Sequence, residues 1–275
     1  MLRGLKNLIL VGLILTIATV VIVNIYGEGE RIQITGSTTV LPVAQRAAEN
    51  FMKEFDITVS VRGGGSGTGI AALIDGRADI ADASRPIKSK EIKIAKSKGV
   101  KPKQHIIARD GLAVVVNKQN SVDGLTLKQI KKIFMGEITN WKEVGGPDKH
   151  IIIISRDSSS GTFEAFKELA LDEEKYSEDA LRMASNKAVA TTVARTKTAI
   201  GYIGMAYLSQ AVKTVKVDGV LPTLKTAGSG KYKIARPLYM YTDGEPKGNI
   251  KKFIDYVFSP AGQKIVKKVG YVPVK

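Results

Sequence analysis

Apolar positions along this chain change their period repeatedly. Arg31 to Thr35 alternates, with Ile32 and Ile34 on one face, which predicts a strand. Val43, Ala44, Ala47, Ala48, Phe51, Met52 and Phe55 then recur at helical spacing, with Pro42 suited to the first turn. Ile57, Val59 and Val61 alternate again, Ile70, Ala71, Leu73 and Ile74 open another helix, and Ala78 to Ala81 reads as a short strand. Lys88 to Lys98 reads as a basic helix whose Ile87, Ile92, Ile94 and Ala95 form an apolar face. Gln104 to Ala108 and Leu112 to Val116 read as two strands parted by Asp110-Gly111. Thr126 caps an amphipathic helix reaching Phe134, and the turn that follows carries Trp141 as a packing anchor.

Four isoleucines, Ile151 to Ile154, predict a buried strand, and Glu164 to Leu169 the first turns of a helix. Ser177 to Ala184 and Lys187 to Arg195 look helical, and Ile200 to Gly204 reads as a strand. Val212 to Val217 alternates before Asp218-Gly219, which reads as a hairpin turn. Leu238 to Tyr241 is a further strand, and Asn249 to Phe258 and Ala261 to Val269 are closing helices. Strand and helix alternate almost throughout, so the fold class is α/β, in lobes with largely parallel sheets. Ligands of such sheets sit at the carboxyl ends of strands, beside helix N-termini.

Three strand–loop–helix junctions carry chemistry there. Arg156-Asp157-Ser158-Ser159-Ser160-Gly161-Thr162 joins a guanidinium to several hydroxyls and a glycine where the helix should begin. A helix N-terminus presents unpaired N–H groups and partial positive charge, which suits a small anion. Arg156 adds a planar fork matching two anion oxygens. A plain N-cap with a solvated arginine would use the same residues. Gly36-Ser37-Thr38-Thr39 and Gly63-Gly64-Gly65-Ser66-Gly67-Thr68-Gly69 stand at the other two junctions. Ile70-Ala71 follows the glycine run in place of the Lys-Ser/Thr of a nucleotide P-loop, so the loop reads as an anion cradle without nucleotide specificity, or as a flexible turn.

Charge and composition narrow the choices. Residues 1–30 hold Arg3 and Lys6 before an apolar run from Leu8 to Val23, then turn polar at Gly27. This reads as an export signal or membrane anchor. No clear small-x-small cleavage site follows, so an uncleaved anchor is favoured over secretion after cleavage. Cysteine is absent and histidine occurs twice, at His105 and His150, which supplies zinc or serine–histidine chemistry poorly. The formal net charge is +16. Its lysines are spread along the chain with few aromatics, which argues against nucleic acid and for attraction of anionic ligands.

Four segments in order resemble the phosphate-binding protein of an ABC phosphate importer, the PstS-like family. They are Gly36-Ser37-Thr38-Thr39, Gly63-Gly64-Gly65-Ser66-Gly67, Asp79-Ile80-Ala81-Asp82-Ala83-Ser84-Arg85-Pro86 and Arg156 to Thr162. The resemblance implies a type II periplasmic-binding-protein fold, with two α/β lobes, two hinge strands and the ligand cleft between the lobes. The hinge strands are placed near Asp110 to Val116 and Ala235 to Tyr241. Lobe one is expected from 31–112 plus 239–275, lobe two from 113–238, and residues 1–30 as the signal or anchor. By resemblance, Thr38, Thr39, Ser66 and Ser84 on lobe one and Arg156, Ser160, Gly161 and Thr162 on lobe two bind phosphate. The resemblance further implies no enzyme activity, cofactor, metal or nucleic acid. It also implies an extracytoplasmic monomer that delivers phosphate to ABC transporter permease subunits.

Many members of that family carry an aspartate where this chain has Ser84, and use it to accept the proton that phosphate carries and sulfate lacks. Asp82 lies two residues upstream and Arg85 next door. Other oxyanions such as sulfate, molybdate or tungstate, a phosphate-sensing module, and a serine hydrolase remain as alternatives.

Overall fold

The computed structural model describes residues 31–274. The expected N-terminal anchor lies outside the described residues. Lobe one begins with β1 (Arg31–Gly36), α1 (Leu41–Glu54), β2 (Thr58–Gly63), α2 (Ser66–Ile74), β3 (Ile80–Ala83) and α3 (Ser89–Ser97). β1 lies between β2 and β3 and runs parallel to both. The apolar stripe Val43, Ala44, Ala47, Ala48 and Phe51 of α1 is buried with Ile32 and Ile34 of β1, as its spacing predicts.

β4 (Pro102–Asn117) then runs on as one 16-residue strand where the sequence reads two. Asp110-Gly111 makes no turn because the Asp110 carboxylate is satisfied inside the sheet, by Arg236 and the Met205 N–H. Residues 102–111 pair antiparallel with β11 (Ala235–Asp243), and residues 112–116 pair antiparallel with β8 (Ala199–Gly204).

Between them lie β5 (Gly124–Leu125), α4 (Leu127–Met135), β6 (Ile152–Arg156), α5 (Gly161–Leu171), β7 (Leu181–Met183) and α6 (Asn186–Arg195). β6 sits between β7 and β8, parallel to both, which repeats the β2-β1-β3 arrangement of the first lobe. β9 (Val212–Thr214), β10 (Lys216–Val217) and α7 (Leu224–Gly228) lead to β11, and α8 (Gly248–Phe258) and α9 (Pro260–Val269) close the described chain. The main path through the sheet is β2-β1-β3-β11-β4-β8-β6-β7. In this sheet parallel pairing is thus confined to the two outer triplets, while β4 and β11, the strands that join them, pair antiparallel.

Separate cores serve the two lobes. Phe51 packs edge-on against Phe253 in lobe one. In lobe two, Phe166 stacks on Tyr202 at 3.9 Å between ring centroids, and Trp141 is fully buried with its indole N–H donated to Thr198 O.

Three local expectations need correction. Ser177 to Ala184 is not a helix. Ser177 accepts from Asp179 N–H and closes a turn with Ala180, and Leu181–Met183 is drawn to the open edge of β6. Asp218-Gly219 does turn tightly, yet only a single bridge, Val217 to Val220, closes it. β10 pairs with β5, the chain beyond Val220 runs on to α7, and Asp218 accepts from Leu127 N–H. On α3 only Ala95 is buried, and Ile92 and Ile94 stand 46% and 42% exposed, so its apolar face is not covered.

Candidate functional site

The lobe-two junction is built from the end of β6. Ser160 is the N-cap of α5, its Oγ accepting from Thr162 N–H at 3.1 Å and Phe163 N–H at 3.3 Å. Arg156, the last residue of β6, is 1% exposed. Its Nε donates to Met183 O and its Nη2 to Ala184 O, each at 3.0 Å. Asp157 lies 3.5 Å from Nη2. Burial lowers the guanidinium's pKa, and the neighbouring Asp157 opposes that shift. Carbonyls of the β7 edge therefore hold the fork in a fixed plane.

Lobe one contributes three loops. Ser37 Oγ accepts from Thr39 N–H and Val40 N–H and so starts α1. In the glycine loop, Gly64 and Gly65 N–H donate to Gly36 O. Gly65 has φ of 101°, and a Cβ there would stand 2.6 Å from Ser159 Oγ, so only glycine lets the lobe-two loop nest against it. Gly67 N–H donates to Ser159 O across the cleft. From the end of β3, Ser84 N–H donates to Ser66 Oγ at 3.0 Å, and the two hydroxyls stand 3.4 Å apart.

The lobes meet over this group. A Cβ on Gly161 would stand 2.3 Å from Ser66 Oγ and 2.8 Å from Ser84 Oγ, so the start of α5 is pressed directly onto both serines. Thr39 Oγ1 and Thr162 Oγ1 are hydrogen-bonded at 2.8 Å. Asn186 donates from Nδ2 to Thr38 Oγ1 and Thr39 Oγ1. Tyr207 OH donates to Thr38 O, and at the rim Lys88 pairs with Glu164 at 2.8 Å. Thr38, Thr39, Ser66, Ser84, Gly161 and Thr162 are thus brought together, Ser160 serves as helix cap beside them, and Arg156 ends the strand that leads into this loop.

Arg236, Asp110 and Asn186 were not legible as site residues. Arg236 sits in β11 directly opposite Asp110 of β4. It is 4% exposed, and its Nη2 lies 3.1 Å from Asp110 Oδ2. Burial raises the Asp110 pKa from 3.8 to about 6, outweighing the adjacent guanidinium. A lone arginine inside the apolar run Ala235 to Tyr241, and an aspartate inside another strand, were the available signals. Arg85 does not face solvent: its guanidinium binds Glu91 through both terminal nitrogens, and Pro86 O. Asp82 is fully enclosed with neither carboxylate oxygen hydrogen-bonded, and burial raises its pKa well above the ordinary value. His105 Nε2 pairs with Thr242 Oγ1 and His150 is exposed, so neither is a base for the cleft serines.

Comparison with known proteins identifies the family. A family model described as a PBP superfamily domain matches residues 26–261. The phosphate-binding protein PstS of Bacillus subtilis is 38% identical over 247 residues, covering 88% of this chain and 80% of that protein. A phosphate ABC transporter substrate-binding protein of Clostridium perfringens, solved with bound phosphate, superposes with a TM-score of 0.84. It shares 37% identity and covers 90% of this chain and 100% of the solved one. An ABC-type phosphate transport receptor of Vibrio cholerae gives a TM-score of 0.72 at 32% identity, covering 88% of this chain and 99% of that one. Two lobes, two shared strands and a hydroxyl-lined cleft are therefore the type II binding-protein fold, and the chain belongs to the PstS-like family of the PBP superfamily.

Proposed function

We propose that the chain is an extracytoplasmic receptor that captures inorganic phosphate and hands it to the permease subunits of an ABC transporter. The observation that carries this reading is the buried hydroxyl cluster drawn from both lobes at the start of α5, with the buried Arg156 ending the strand that leads into it. Thr38, Thr39, Ser66, Ser84, Arg156, Ser160, Gly161 and Thr162 are the proposed ligand residues. Hydroxyls donate to anion oxygens, and Arg156 supplies the compensating charge in a cleft that closure empties of water. Closure of lobe two (113–238) on lobe one (31–112 plus 239–275) then forms the surface that a permease reads. Binding proceeds without chemistry, as a monomer, with no metal or cofactor, and the N-terminal segment stays attached as a membrane anchor. No helix among the described residues is long and apolar enough to cross a membrane.

Ser84 shapes the selectivity. A serine can donate to or accept from an anion oxygen, whereas a carboxylate can only accept. The cleft therefore takes both ionic forms of phosphate and rejects sulfate less strongly than an aspartate-bearing relative does. Titration calorimetry with phosphate, sulfate and molybdate tests the reading. Phosphate is expected to bind one per chain and more tightly than the other two, and an absence of phosphate binding overturns it.

A further inference from the structure

Hydroxyl protons in the cleft can be counted, and the count points to a residue outside the ligand set. Asn186 Oδ1 accepts from Gly204 N–H at 3.1 Å, which fixes the orientation of its amide. Its Nδ2 therefore faces Thr39 Oγ1, at 3.0 Å, as a donor. Arg236 Nη2 lies 3.2 Å from the same Thr39 oxygen and 2.9 Å from Thr162 Oγ1. Both nitrogens are donors only, and Nη2 has two protons for three oxygens, Asp110 Oδ2 at 3.1 Å being the third, so one proton is shared between the two threonine oxygens. A hydroxyl oxygen has two acceptor sites and one proton. Asn186 and the shared Arg236 proton both point at Thr39 Oγ1, so a third proton from Thr162 would overcrowd it, and in its 2.8 Å bond to Thr162 it is the donor. Thr162 Oγ1 then accepts from Thr39 and Arg236, and its own proton has no acceptor among the described residues.

We propose that Arg236, anchored by Asp110 on the opposing strand, is a positioning residue that fixes these hydroxyl protons and makes Thr162 an obligate donor to the anion. The proposal rests on the reading of the cleft as an oxyanion site. Arg236 Nη1 adds a second constraint. It donates to Ser84 O at 2.9 Å and to Gly161 O at 3.0 Å, one from each lobe. The same guanidinium thus ties the two backbones that frame the anion and sets the proton direction between the two threonines. An anion oxygen facing Thr162 accepts from it, so the acidic proton of hydrogenphosphate is donated elsewhere, toward Ser84 or Ser66.

A double-mutant cycle in phosphate calorimetry tests this on the full chain. Arg236→Lys keeps the charge but lacks the fork that reaches all five oxygens. It is expected to weaken phosphate binding about 10-fold or more in the natural background. In the Thr162→Val background, where no hydroxyl remains to be aimed, the same change should cost about threefold or less. Equal factors in both backgrounds, or no loss in the natural one, overturn the proposal. Should Arg236→Lys fail to fold, Asn186→Ala takes its place in the cycle. It frees one acceptor site on Thr39, lets Thr162 donate inward, and must show the same dependence on Thr162. Additive losses with Asn186→Ala equally overturn the proposal. If the natural protein binds neither phosphate nor sulfate, the oxyanion reading itself has failed, a result distinct from an additive cycle in a protein that binds.

Discussion

Two buried arginines serve the proposed site, and their surroundings set them apart. Arg156 ends a strand, its side-chain bonds run to the neutral carbonyls of Met183 and Ala184, and its nearest carboxylate, Asp157, is 35% exposed. Arg236 lies inside a strand and faces Asp110, whose carboxyl is fully enclosed. An anion entering beside Arg156 meets a charge that no buried carboxylate offsets. Beside Arg236 the charge is already matched, so what this residue offers is direction: fixed N–H groups aimed at oxygens of both lobes. One arginine is organised for the ligand and the other for the geometry that receives it.

Removing each in turn should separate these roles. Arg156→Ala is expected to weaken phosphate binding by about 2–5 kcal/mol, since it deletes the charged partner of an enclosed anion. Arg156→Lys should recover only part, because the bidentate fork is lost. Calorimetry checks both, and unchanged affinity in the alanine variant would remove Arg156 from the ligand set.

Asp110 should show itself in the pH dependence of stability. Its pKa is raised in the folded chain from 3.8 to about 6, so the folded state binds the proton more tightly than the unfolded state does. Stability from this group therefore falls as pH rises through the window from about 4 to about 6, by an amount on the order of 3 kcal/mol, and the loss is complete above it. Denaturant titrations across that window should show this component in the natural protein and lack it in Asp110→Asn. A pH profile identical in the two would contradict the assignment.

Ser84→Asp should lower sulfate binding about 10-fold or more relative to phosphate. It should also weaken phosphate above neutral pH, where a carboxylate meets the dianion. Competition calorimetry at two pH values reads both effects. The smallest effect is expected at the rim. Lys88→Ala breaks the pair with Glu164, whose lysine is 47% exposed, and should change affinity by less than about 1 kcal/mol and only at low salt.

The same contrast explains what the sequence made legible. Arg156, Ser160 and Gly161 stand in a local pattern of strand, capped loop and helix, so spacing reveals them. Strands β1, β2, β3, β6 and β8 follow likewise from hydrophobic period. Arg236 and Asp110 are 126 residues apart and meet only because β4 and β11 lie side by side. Read locally, Asp110-Gly111 resembles a turn, and only the long-range pairing keeps it extended. Asn186 was equally hidden: its sequence neighbourhood is that of an ordinary helix start, capped by Ser185, while its amide reaches Thr38 and Thr39 on the other lobe. The strand at Leu181–Met183 was misread as helix for a related reason, since an open edge on β6 overrode its local preference.

The central claim is that the cleft framed by Arg156, Ser66, Ser84 and Thr162 holds phosphate, and a crystal structure of the protein grown with phosphate tests it most directly. The account predicts one tetrahedral anion between the lobes, with Arg156, Ser66, Ser84, Gly161 and Thr162 within about 3.2 Å of its oxygens. Phosphate seated elsewhere, or a cleft without an anion at saturating phosphate, would contradict it.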